Sequence, residues 1–333
     1  MLFRSYEGVR ESKGITQTLT VPATAIRSTA VAAVRPYLDL YPLPTESILD
    51  VATGQPSTQV GRFSYIYKRP TREDFGQARW DYNLSEKDMM FARYTIVDSS
   101  RTNAVGFPQF SDFATSRGQY MTFSENHTFS PAVLNMLRLS FLRSFQNYDS
   151  PSEVSLGFLP GIQMGSIAPG SGVTSLGPIG SRPLGLNQNQ YSLGNDVLWT
   201  RGNHTIKFGT LINKFHVYTN VGTNARGTWT FNNLAAFLSA TPRQLVILSP
   251  GSVTDRTYRW ETYGFYGQDD WRVSPKFTLN LGLRYEFTRK VNETKGRGSS
   301  LRNVLTDTAF AVAPELFDNP SMTNISPRLG FAW

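Results

Sequence analysis

The residues of this 333-residue sequence best suited to chemistry are three histidines and one pair of adjacent aspartates. His127, His204 and His216 stand far apart, and none has the His-x-x-x-His type of spacing that brings two imidazoles to one metal ion. Cysteine is absent, which removes structural disulfides, thiolate catalysis and cysteine-based zinc or iron–sulfur centres. Asp269-Asp270 could bind a cation or act as an acid. On a strand, however, neighbouring side chains point to opposite faces, so the two carboxylates diverge. Gly170-Ser171-Gly172 is followed neither by Gly-Lys-Ser/Thr nor by a helix start, and it reads as a loop. Gly-x-Ser-x-Gly and His-Glu-x-x-His do not occur. No catalytic, cofactor-binding or metal-ligating residue emerges, no cofactor is implied, and the expectation is a protein that is not an enzyme.

The elements that would position these side chains are strands. From Phe277 the sequence alternates: Phe277, Leu279, Leu281, Leu283, Tyr285 and Phe287 fall on one face. Thr278, Asn280, Gly282, Arg284 and Glu286 fall on the other. The run is about as long as a tilted strand needs to cross a bilayer. Tyr258–Arg272 is equally long and aromatic, and a Ser274-Pro275 turn joins the two. Long strands, a tight turn and aromatic ends are the parts of a transmembrane β-hairpin. In that setting Leu279, Leu281 and Leu283 face lipid, while Asn280 and Arg284 face a hydrated interior. One aspartate of Asp269-Asp270 then faces the lumen and the other the headgroup zone. Lys207 and Gly209 share a luminal face in the same way.

Composition agrees. Hydrophobic residues make up 40%, mean hydropathy is -0.30, and no apolar run reaches the length of a spanning helix. A barrel passes that test, because only alternate residues meet lipid. The net charge of +8 is scattered rather than clustered, so the footprint of a nucleic-acid binder is missing. Trp80, Trp199, Tyr258, Trp260, Tyr263 and Trp271 lie at or near strand ends and suit interfacial belts.

Short and long connections alternate. Ala78–Leu84 and Met89–Val97 are joined by Ser85–Lys87; Gln119–Phe129 and Ala132–Gln146 by Ser130-Pro131; Tyr191–Thr200 and His204–Tyr218 by Arg201–Asn203; Tyr258–Arg272 and Lys276–Lys290 by Ser274-Pro275. Between these hairpins the expected long connections are Asp98–Gly118, Asn147–Asn189, Thr219–Thr257 and Val291–Ser326. Transmembrane barrels have short periplasmic turns and long external loops, so the chain acquires a direction. Gly172 and Gly222 are expected on the cell surface and Gly202 on the opposite side. Pro160–Pro183, rich in Gly, Pro and Ser, is expected to be mobile. Asn232–Leu238 has a cap-like Asn and helical spacing, which predicts a short helix inside the third long loop. Ser12–Gln59, with little periodicity and several prolines, reads as mostly connection.

Gly264–Glu286 (GFYGQDDWRVSPKFTLNLGLRYE) closely resembles the barrel hairpin of TonB-dependent outer-membrane receptors. Arg201–Gly209 (RGNHTIKFG) and Asn324–Phe331 (NISPRLGF) resemble further strand starts of the same barrels. Phe3–Arg10 with Thr20-Val21-Pro22, Tyr37–Pro44 (YLDLYPLP) and Arg79–Thr95 resemble the Oar-like subgroup, in order across nearly the whole chain. The resemblance implies an all-β fold: a partial antiparallel barrel of roughly ten to twelve strands over residues 1–333. The family's N-terminal regulatory-like domain, plug and C-terminal strands have no counterpart in the sequence, and the chain is expected to be an inactive fragment when alone. The resemblance further implies a receptor or transporter in the cell outer membrane, with lipid as its surroundings and the TonB complex as a partner only through the plug. The ligand-binding residues and the ligand are not specified. Rival readings are a passive porin-like or adhesive barrel and a secreted β-rich carbohydrate-binding protein.

Overall fold

In the computed structural model, residues 1–312 and 321–333 are described. The first strand, β1 (Leu2–Pro22), is followed by a 3-10 turn at Ala25–Thr29, a short helix α1 (Arg35–Leu38) and strand β2 (Glu46–Leu49). Four long strands follow: β3 (Pro56–Asn83), β4 (Asp88–Val105), β5 (Phe107–Ser130) and β6 (Val133–Asp149). A looped region carries β7 (Gly157–Leu159), β8 (Ile162–Gln163) and β9 (Ser166–Ala168). The hairpin β10 (Leu184–Arg201) and β11 (His204–Val221) leads to a second region with β12 (Thr228–Thr230), α2 (Leu234–Leu238) and β13 (Gln244–Val246). The chain continues as β14 (Asp255–Ser274), β15 (Phe277–Thr288), the short β16 (Asn292–Glu293), β17 (Ser299–Ser300) and β18 (Ala311–Val312), and ends on β19 (Ile325–Ala332).

The long strands form one antiparallel sheet in the order β1-β3-β4-β5-β6-β10-β11-β14-β15-β19, with β2 and β16 added at its margins. This is the expected meander, and its two edges, β1 and β19, do not pair with one another. The tight turns expected at Ser85–Lys87, Ser130-Pro131, Arg201–Asn203 and Ser274-Pro275 all lie at one end of the sheet.

Three expectations about the other end are corrected. Asp98–Gly118 is not a long connection: β4 and β5 run on and meet in a tight hairpin at Gly106, whose φ of 64° suits a residue without Cβ. Ser12–Gln59 is connection only in part, since Ser12–Pro22 completes β1 and pairs rung for rung with Val60–Pro70 of β3. Ser12–Thr18 and Asp98–Thr102 carry few apolar residues on either face, whereas Leu19, Val21, Phe107 and Phe110 at the far ends of the two segments are buried above the sheet. Where a sheet rises out of the bilayer and neither face is apolar, the strand keeps its hydrogen bonds but loses its alternation. The third correction concerns Pro160–Pro183, which is packed: Met164, Ile167, Val173 and Leu176 are all buried. The expected helix is present as α2, with the Asn233 side chain accepting from Ala236 N at 2.8 Å. The fourth expected connection, Val291–Ser326, includes residues 313–320, which lie outside the described residues.

Candidate functional site: the polar wall and the cap

Side chains directly opposite one another in an antiparallel sheet share a face. One registered row passes through eight strands as Trp80, Ala92, Phe123, Leu139, Leu193, Ile212, Tyr263 and Phe287. All eight are apolar or aromatic. The adjacent row, one residue away on each strand, runs Arg79, Arg93, Thr122, Ser140, Ser192, Asn213, Thr262 and Thr288. All eight are polar. Burial cost assigns the first row to lipid and the second to water, which makes the second the luminal wall.

The luminal face is hydrogen-bonded across strands. Ser192 Oγ donates to Asn213 Oδ1 at 2.7 Å, and Asn213 Nδ2 donates to Thr262 Oγ1 at 3.1 Å. Arg79 forks onto Asp81 at 2.6 and 3.0 Å and lies 4.1 Å over the Phe91 ring. Tyr266 donates to Asp196, with Lys207 5.6 Å from the tyrosine ring. Asn280 Nδ2 donates to Asp270 at 2.8 Å, and Arg284 bonds Glu286. Both signs of charge are present, and most groups are satisfied by a neighbour. Such a wall can hydrate and guide a polar solute. It does not bring a nucleophile to a base.

Asn280 and Arg284 stand on this wall, and Leu279, Leu281 and Leu283 stand on the apolar face, as expected. The aspartate pair divides as the strand period requires: Asp270 is luminal, while Asp269 accepts from His204 Nδ1 at 2.6 Å on the outer face. His204 stacks on Trp271 with centroids 5.2 Å apart, near the tight turns. Trp80, Trp199, Tyr263 and Trp271 lie on the outer face. Tyr258 and Trp260 do not, because their register turns them inward, where Trp260 stacks on Phe215 at 4.7 Å. His216 lies on the outer face between Asn189 and Arg259.

One grouping was not legible beforehand. Asp88 pairs with His127 across β4 and β5, and Glu125 lies two residues away, so one possible ligand atom from each falls within 4.8 Å of the others. The Asp88 carboxylate already accepts from Ser85 and bonds His127. The register of β4 on β5 is set by the hairpin at Gly106, so the grouping could be found only once that connection was known to be tight.

The opposite end of the sheet carries a folded cap. The parallel pair β9–β12 and the antiparallel pair β12–β13 form a small sheet. Its core joins α1, α2 and the extended ends of β1 and β5: Val21, Leu38, Tyr41, Phe107, Phe110, Leu176, Leu234 and Phe237 are buried. Tyr41 donates to Thr174 O at 2.9 Å, and burial pushes its hydroxyl well above the usual tyrosine range. Arg182 forks onto Asp112 at 2.8 and 3.2 Å, which ties the first looped region to β5. Glu293 is fully buried beside β14. Burial alone would raise its pKa, but backbone N–H groups of Arg297 at 2.6 Å, Thr257 at 2.9 Å and Lys295 at 3.0 Å hold it below the usual carboxylate range.

Among solved structures, the outer membrane transporter YddB from Escherichia coli is similar at 11% identity and a TM-score of 0.49, over 88% of this chain and 35% of that one. The open form of the ferric-catecholate import receptor Fiu from E. coli K12 is 13% identical with a TM-score of 0.42, over 79% and 43%. FpvA of P. aeruginosa, bound to heterologous pyoverdines, is 12% identical with a TM-score of 0.44, over 98% and 40%. The chain thus spans less than half the length of each of these structures. No curated protein matches. The family model described as the outer membrane beta barrel domain matches residues 2–333. With an apolar face and a polar wall on one meandering antiparallel sheet, the chain belongs to the outer membrane β-barrel domain family and lies in the outer membrane.

Proposed function

We propose that residues 1–333 form one stretch of the barrel of an Oar-like TonB-dependent receptor, which takes up or holds a ligand at the cell surface. The parent's plug and remaining strands would lie outside these residues. The reading rests on one structural observation: the four tight turns at Ser85–Lys87, Ser130-Pro131, Arg201–Asn203 and Ser274-Pro275 and the folded cap occupy opposite ends of a wall that is polar on one face only. The cap is the part that would meet a ligand, and the luminal row from Arg79 to Thr288 is the path it would follow. The residue motifs from Gly264–Glu286 and Tyr37–Pro44 supply the link to this receptor type. Coupling to the TonB complex would pass through the plug, so residues 1–333 alone should give no energised transport.

The test uses the full-length protein as sole receptor in a transport-deficient cell, offered labelled ferric siderophores, oligosaccharides and peptides. Accumulation that stops when the inner-membrane proton gradient is collapsed supports the reading. Influx that continues unchanged makes the protein a passive barrel, and surface retention without influx makes it an adhesive one.

A further inference from the structure

Following the outer face upward from the apolar row, the side chains change character abruptly. Two rungs above that row, a single registered row reads Gln119, Arg143, Asn189, His216 and Arg259. Lys214, opposite Tyr191, stands between the two rows on β11. Arg117 lies one rung above Arg143's neighbour Gln119, and Arg289 follows the end of β15. Acids on the same rim are accounted for: Asp74 is held by Arg10 and by Arg72 at 2.7 Å, Asp98 by Arg117 at 2.6 and 3.1 Å, and Glu261 lies 3.4 Å from Arg289. Arg143, Lys214 and Arg259 are exposed and have no ion pair among the described residues. The rim therefore carries an excess of positive charge that the protein itself does not neutralise.

Its height is informative. Ten residues separate Val133, next to a tight turn, from Arg143. At about 3.3 Å per residue and a tilt of about 40°, that is a rise of about 25 Å, the thickness of the apolar band of such barrels. The unpaired cations thus sit where the hydrocarbon ends at the external surface. Two open grooves lie along this rim. One, of 630 Å³, is bordered by Arg72 and Arg117, which pair with Asp74 and Asp98 in the same groove, by the unpaired Arg143, and by Phe145. The other, of 580 Å³, is bordered by Arg259, Arg289 and Lys290 together with Glu261, the partner of Arg289. A guanidinium fork matches the oxygens of a phosphate group.

We propose that this rim binds the phosphorylated headgroups of outer-leaflet lipids, with Arg143 and Arg259 as the principal contacts. The surface is separate from the luminal wall and the cap, and it does not depend on the transported ligand.

The experiment uses the full-length protein folded into phosphatidylcholine vesicles and titrated with lipid A or with dephosphorylated lipid A, retention being read by native mass spectrometry. Arg143→Gln and Arg259→Gln should each lower lipid A retention about five-fold, as one basic side chain near an anionic membrane surface would. Lys214→Gln gives a third, independent reading of the same size. Arg138→Gln serves as the control, because it removes an exposed arginine from the same strand but from the luminal face. Wild-type retention in Arg138→Gln, and none of the dephosphorylated lipid, would support the proposal. Equal loss in Arg138→Gln, equal binding of both lipids, or displacement by inorganic phosphate at matched concentration would overturn it.

Discussion

The hairpin β14–β15 and the cap are built on different principles. In the hairpin every contact that matters is local: Tyr263 faces Phe287, Trp271 faces Leu279, and the period of two decides which side each residue meets. In the cap the contacts are remote. Tyr41 packs against Phe107 at 5.1 Å and Phe237 at 6.4 Å, three residues drawn from three separate parts of the chain. The wall is stabilised by lipid outside and water inside, whereas the cap has to make its own apolar interior. A substitution should therefore be felt in one region without spreading to the other.

The largest expected effect is all-or-none and concerns sidedness. Epitope tags inserted at Gly172 or Gly251 of the full-length protein should be reached by antibody on intact cells, and a tag at Gly202 only after the outer membrane is permeabilised. All three glycines have positive φ and open space at the Cβ position. Gly222, an expected surface point, is unsuitable, because it is buried and a Cβ there would lie 2.8 Å from Pro183 O. A reversed pattern would turn the wall upside down and remove the cap from the outside.

Next in size is the cap's own core. Phe237→Ala should cost about 3–5 kcal/mol, the range for a buried aromatic truncated to a methyl group. Limited proteolysis of the membrane-inserted protein should then cut within residues 150–183 and 222–254, while the barrel strands stay protected. Loss of the whole barrel would show that wall and cap are one cooperative unit.

Within the wall, Leu281→Arg should destabilise by about 2–4 kcal/mol near the midplane, and Asn280→Arg by little. The measurement is urea unfolding in lipid vesicles, and equal costs would mean that the faces are misassigned.

The smallest effect is one of pH. Since the Glu293 pKa is depressed in the folded state, its stabilising contribution is present above the ordinary carboxylate value and is lost as pH falls through the folded one. Protection factors for amide exchange at Thr257, Lys295 and Arg297 should fall once the pH drops below the ordinary carboxylate range, with no matching change at Tyr41. Protection factors already low at neutral pH would mean that the carboxylate does not hold these amides.

The same contrast explains what could be read in advance. Phe277–Phe287 showed its strand, its faces and its turn because lipid on one side and water on the other impose alternation. Ser99–Thr102 and Ala114–Arg117 are equally regular strands, yet they stand in water on both sides and carry no such mark. That is why the hairpin at Gly106, and with it the pairing of Asp88 and His127, stayed hidden. Asn233 announced α2 because a helix cap is a local signal. The burial of Met164 and Leu176 had no local signal, since their partners lie on β1, β5 and α2. Trp260 was misplaced by a rule about strand ends that takes no account of parity.

The length of the β1–β3 pairing has a mechanical consequence. It continues from Leu2 opposite Trp80 up to Pro22 opposite Val60 without a break in register. From Asp74, near the lipid margin, to Val60 this hairpin climbs on the order of 35 Å at the usual rise and tilt. A hydrogen-bonded sheet of that height does not stretch, so the cap is held at a fixed stand-off from the cell surface, as if on a mast. A molecule touching the cap is met well clear of the headgroups, and a pull on the cap reaches the membrane-embedded wall with little slack to absorb it.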